Sequence, residues 1–178
     1  KLLGTGDVTQ ITEQELLELK DKIDIITGGF PCQSFSTAGK RGMMEDPRGK
    51  LFMDFVRIAN IIKPKYVIGE NVLGITTSFH NGRFVPHIIC NEFKKIGYNM
   101  TYEIHCASDY GVPQNRIRVI FIGSLNINVY PKFKCEKIFF DSENINLFGI
   151  KNRKKITVRE VISDIEKIEN TENGHKFK

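Results

Sequence analysis

No stretch of the 178 residues approaches a membrane span, which needs roughly 18 to 20 consecutive apolar residues. The opening Lys1-Leu2-Leu3-Gly4-Thr5-Gly6-Asp7 has no initiator Met and no signal-peptide hydrophobic region. The four cysteines, at 32, 90, 106 and 135, contain no Cys-x-x-Cys pair and no regular spacing, so neither a metal site nor a disulfide framework is indicated. No repeat or low-complexity block is visible either, which excludes a solenoid. A reducing, cytoplasmic setting with no membrane partner is the expectation. What is present is 40% hydrophobic residues, enough for one domain with a real core, and a formal net charge of +5. That charge favours a polyanionic partner, although an AT-biased genome rich in Lys and Asn codons gives the same balance.

The chain is organised around Gly28-Gly29-Phe30-Pro31-Cys32-Gln33-Ser34. Ile23, Ile25 and Ile26 predict a short buried strand over 23–27, and the paired glycines and Pro31 then forbid both helix and ladder. Cys32 therefore lies just past a strand end, where it reads either as a nucleophile on a turn or as a small apolar filler. Upstream, Thr12-Glu13-Gln14-Glu15 is a capping box that predicts a helix to about Lys20. Downstream, residues 34–47 carry glycines and cations without hydrophobic period and predict a mobile loop. Leu51, Phe52, Phe55, Ile58, Ala59 and Ile62 recur at helical spacing until Pro64, and Tyr66 to Gly69 predict a second buried strand. Strand, helix and strand make a parallel crossover that brings Cys32 and Glu70 to one sheet edge, where open α/β sheets bind ligands.

A further helix is expected from Val85 to Ile96, stopped by Gly97, and then a half-buried strand alternating Tyr98, Met100, Tyr102 and Ile104. The strand from Arg118 to Gly123 follows without an intervening helix, so its pairing is expected to be antiparallel. Arg116 and Arg118, spaced by two, would then begin beside Cys32 and Glu70. Thr157-Val158-Arg159-Glu160 is a second capping box, predicting a helix through about Ile168.

Three blocks in this order, Pro31-Cys32-Gln33, Glu70-Asn71-Val72 and Gln114-Asn115-Arg116-Ile117-Arg118, resemble the DNA (cytosine-5) methyltransferase family, and more its bacterial restriction-modification branch. The resemblance covers roughly residues 4–124, with an echo near 156–165. It implies an α/β, Rossmann-like S-adenosylmethionine-dependent methyltransferase fold, a mostly parallel sheet with an antiparallel last strand and its N-terminal part missing. Residues 1–124 would be a partial catalytic core and 125–178 the lead-out towards an absent target-recognition domain. Cys32 would be the covalent nucleophile on carbon 6 of a flipped-out cytosine. Glu70, in a buried setting, would bind and protonate the ring nitrogen, Arg118 would hold the base carbonyl, and Arg116 would lie near the cysteine and phosphate. Asp7, Pro31 and Leu51 match cofactor-side positions for S-adenosylmethionine, and Gln33, Ser36 and Arg116 match DNA-side positions on double-stranded DNA.

The glycine-rich cofactor loop expected before Gly6 and the target-recognition domain are not in the 178 residues. The expectation is therefore a core fragment, inactive by itself, completed by missing segments or a second chain. A papain-type thiol hydrolase using Cys32, His105 and Asn115 fails on local pattern, because such enzymes place Gln before the Cys. A non-catalytic nucleic-acid-binding or regulatory half of a split methyltransferase, and a transfer-RNA methyltransferase, remain alternatives.

Overall fold

In the computed structural model the described residues are 6–31, 47–132, 137, 139–140 and 153–163. The expected loop over 34–47, apart from Pro47, and the end of the last helix lie outside them. The chain divides into two compact units, residues 1–104 with 118–134, and residues 105–117 with 135–178.

In the first unit, Thr12 caps α1 (Glu13–Leu17) through a reciprocal box: its hydroxyl accepts from the Glu15 N–H, and the Glu15 carboxylate accepts from the Thr12 N–H. The helix is shorter than expected. Leu19 and Lys20 donate to carbonyls three residues back, tightening the chain into turns, and Asp21 takes a left-handed φ of 60°. β1 (Ile25–Gly28) then pairs in parallel with β2 (Tyr66–Val72), Gly28 opposite Gly69. The expectation of a buried β1 is corrected here: Ile25 is 51% exposed while Ile26 packs on the core. Among the described residues β1 has one strand neighbour and one covered face.

Between them, α2 (Pro47–Ile62) places Phe52, Phe55, Val56, Ala59 and Ile62 on one stripe, all buried. It ends at Lys63, in left-handed conformation, followed by Pro64, which cannot continue a helix. A hairpin, β3 (Phe79–His80) and β4 (Arg83–Phe84), turns through Asn81 and Gly82, both at positive φ. α3 (Val85–Lys95) buries Val85, Ile89 and Phe93. Its end is a Schellman motif: Gly97, at φ 95°, donates to Lys94 and Tyr98 donates to Phe93.

β6 (Ile117–Ser124) runs antiparallel to β2, Glu70 opposite Ile120 and Val72 opposite Arg118. β5 (Asn99–Cys106) completes the order β1-β2-β6-β5. Ala107 donates to Arg116, and Gly123 abuts Met100; the partners run in opposite senses, so β5 and β6 are antiparallel as expected. Tyr98 and Met100 are buried, but Ile104 is 50% exposed, because the alternation outlasts the aromatic core it was expected to face.

The second unit is built on a tight 310 turn over Ala107–Tyr110, closed by Gly111 at φ 88°. Phe139 of β7 (Phe139–Phe140) lies against Gly111, where a Cβ would stand 2.8 Å from the ring. β7 pairs in parallel with β8 (Arg153–Lys154), and Thr157 caps α4 (Val158–Ile162) with Glu160 as its box partner.

Candidate active site

β1 and β2 are parallel, so both deliver their C-terminal residues to one edge of the sheet. At that edge Gly28 must lack a side chain, since a Cβ there would sit 2.9 Å from the Phe55 ring. Phe30 then turns back into the core, its ring 5.1 Å from Phe52 and 6.2 Å from Phe121. Its carbonyl accepts from the side-chain amide of Asn71 at 2.8 Å, a buried bond across 41 residues of sequence. Leaving such a buried group unpaired costs about 1–3 kcal/mol. The turn is thus fixed by a ring on one side and an amide on the other, ending at the half-buried Pro31. Cys32, Gln33 and Ser36 lie outside the described residues.

β2 continues through Glu70-Asn71-Val72, so Glu70 is held by ladder bonds rather than projecting from a loose end. On the antiparallel neighbour, Arg118 is the diagonal partner of Glu70 on the same face. The two side chains meet, Arg118 Nε to Glu70 Oε1 at 2.6 Å. The other carboxylate oxygen, Oε2, is 3.6 Å from where a Cβ on Gly29 would stand. The expected burial of Glu70 is corrected: its side chain is 43% exposed, and an opposite charge rather than an apolar pocket accompanies it. A carboxylate and a guanidinium side by side present one hydrogen-bond acceptor and a set of donors, complementary to a planar ring carrying both kinds of group.

Asp7 caps the turn over Val8–Gln10, accepting from the Thr9 N–H at 2.9 Å and the Thr9 hydroxyl at 2.8 Å. Those bonds hold its carboxyl below the usual carboxylate range. Arg57 of α2 anchors the same turn through the carbonyls of Ile11 and Val8. Leu51 is half-buried on α2. Arg116 is exposed, belongs to the second unit and stands just before β6, its N–H donating to Gln114 and its carbonyl accepting from Ala107. Of the residues singled out from the sequence, the structure brings Glu70 and Arg118 together beside the Gly29-Phe30 turn.

Asn71, to which the sequence assigns no role, ties the Glu70-Asn71-Val72 motif to the residue just before Pro31-Cys32-Gln33 through its bond to the Phe30 carbonyl. The hairpin was also missed, although Asn81-Gly82 between Phe79 and Phe84 is the usual signal for one.

The model of the C-5 cytosine-specific DNA methylase family matches residues 3–178. The chain belongs to that family. It is 45% identical over 120 residues to the Type II methyltransferase M.DdeI of Desulfomicrobium norvegicum, covering 67% of this chain and 29% of that one. It is 35% identical over 175 residues to the Type II methyltransferase M.AquIA of Picosynechococcus sp., covering 90% of this chain and 69% of the relative. The solved structure of a Spodoptera frugiperda DNMT2 variant superposes with a TM-score of 0.52 at 26% identity, over 72% of this chain and 37% of that one. The chain thus spans less than a third of M.DdeI and about two thirds of M.AquIA. The α/β fold with its antiparallel last strand is that of S-adenosylmethionine-dependent methyltransferases, and the family is an enzyme family of restriction-modification systems. Among the described residues no group of His, Cys, Asp and Glu could hold a metal, and no helix is long and apolar enough to cross a membrane.

Proposed function

We propose that the protein transfers a methyl group from S-adenosylmethionine to carbon 5 of a flipped-out cytosine in double-stranded DNA, as the modification arm of a restriction-modification system. The observation that supports this most is the Glu70–Arg118 pair, set beside the turn that leads through Pro31 to Cys32. When bound, S-adenosylmethionine supplies an electrophilic methyl group. Asp7 suits its adenine amino group, because a carboxylate kept ionised by Thr9 is an acceptor; Pro31 and Leu51 complete the cofactor side.

Carbon 5 of cytosine is too electron-poor to take a methyl group unaided. The Cys32 thiolate adds to carbon 6, and the displaced ring electrons make carbon 5 nucleophilic while Glu70, entering this step in its protonated form, donates that proton to the ring nitrogen. Arg118 donates to the base carbonyl and holds the ring in plane. Once the methyl group is in place, the ring nitrogen returns its proton to Glu70, water takes the carbon 5 proton, and expulsion of the thiolate restores the ring double bond. Gln33 and Ser36 serve the DNA side, and Arg116 meets phosphate.

The test is incubation of the complete protein with S-adenosylmethionine and duplexes containing 5-fluorocytosine, whose carbon 5 has no proton to lose. A denaturation-stable adduct is expected with the native protein and none with Cys32→Ala. An adduct that survives Cys32→Ala would overturn the assignment.

A further inference from the structure

Among the described residues of the second unit, cations outnumber acids: Arg116, Lys137, Arg153, Lys154, Lys155 and Arg159 stand against Asp109 and Glu160. The cations are not scattered. Asp109, only 6% exposed, receives Lys137 at 2.7 Å and Lys155 at 2.8 Å, one on each carboxylate oxygen. One carboxylate between two ammonium groups leaves a net positive knot joining three separate segments of chain. Glu160 is likewise committed, to the N–H and hydroxyl of Thr157.

Beside the knot runs a groove of about 480 Å³ lined by Lys154, Lys155, Gln114, Asn115 and Ser108, with Ile156 and Val158 among its apolar residues. Cationic and amide donors around a groove of that size suit the oxygens of a phosphodiester. We propose that this groove docks a phosphate of the DNA backbone, with Lys154 as a contact and Asp109 as the positioning residue that holds Lys155 on the wall and limits how much positive charge the groove carries. The inference rests on the DNA-methylating function above and extends its footprint to a surface that reads no bases.

The experiment measures duplex binding by the complete protein across a salt series, beside single-turnover methylation at saturating DNA. Lys154→Ala is expected to weaken binding to all sequences and to reduce the slope of log affinity against log salt by about 0.9, one released counterion. Lys154→Glu should reduce it further. Lys65→Ala, which removes an exposed cation paired with Asp24 in the first unit, should leave the slope unchanged. An unchanged slope in both Lys154 variants, with methylation intact, would overturn the docking site alone. Absence of duplex methylation by the native protein would instead overturn the function on which it rests. A slope change seen on structured RNA and absent on duplex DNA would assign the groove to a different polymer and overturn the proposal as well.

Discussion

The two units solve the problem of positioning in opposite ways. In the first, rings do the work: Phe30, Phe52, Phe55, Phe93 and Phe121 interlock at centroid separations from 5.1 to 6.3 Å, and the polar groups of the site are hung on that frame. In the second, a buried carboxylate gathers lysines from distant segments, and the Phe139 ring lies against Gly111. Apolar packing gives a rigid placement that salt barely touches, which suits the roles proposed for Glu70 and Arg118 at a base. Ion pairs give a softer placement, weakened by salt and pH, which suits the phosphate docking proposed for this unit.

The largest expected effect sharpens the first half of that contrast. Glu70→Gln should lower the single-turnover methylation rate by roughly 10²–10⁴-fold, the usual worth of a general acid, while duplex affinity stays within a few fold. Rapid quench beside filter binding reads both, and a salt-dependent loss of binding with a native rate would remove Glu70 from the chemistry. Next, Phe52→Ala should destabilise the fold by about 3–5 kcal/mol, seen as a lower urea midpoint at unchanged slope. A loss below about 1 kcal/mol would mean that the rings are not the frame.

Asn71→Ala should cost about 1–3 kcal/mol, because the Phe30 carbonyl loses its buried donor. It should also slow methylation without altering the salt slope of duplex binding, which separates it from the Lys154 variants.

The smallest effect belongs to the second unit. Lys137 and Lys155 hold the Asp109 carboxyl below its ordinary 3.8, so its contribution to stability is fully present above that value and lost as pH falls through the depressed one. Lys137 is raised above its ordinary 10.5 by the same contact, so its share is present below that value and lost only as pH rises through the elevated one. Asp109→Asn should therefore cost on the order of 1 kcal/mol near neutral pH, the half-exposed Lys137 limiting the gain, and its difference from the native protein should vanish in strong acid. A difference that persists at pH 2 would assign the loss to packing.

How much of this was legible beforehand follows the same divide. The stripe on α2, the caps at Thr12 and Thr157 and the stop at Gly97 are local patterns, and each formed where its residues indicated. The convergence of Glu70 and Arg118 was also legible, because strand order and register follow from connection length. The Asn71 bond was not, since its acceptor is a backbone carbonyl in another motif, and no side chain at position 30 announces it. Nor was the Asp109 knot, whose partners lie 28 and 46 residues away in a stretch with no period. Exposure at Ile25 and Ile104 escaped because a β-branched residue reads as buried wherever a strand passes, and only neighbours decide otherwise.

Gly28 carries a consequence for engineering. With a Cβ there only 2.9 Å from the Phe55 ring, the end of β1 rests on α2 as on a spacer, and the thickness of one phenyl ring sets the distance between strand and helix. Thickening either face of that spacer would push the end of the strand away from the helix and shift the turn that follows it. Gly28→Ala and Phe55→Leu are thus opposite adjustments of one length, and combining them would restore it.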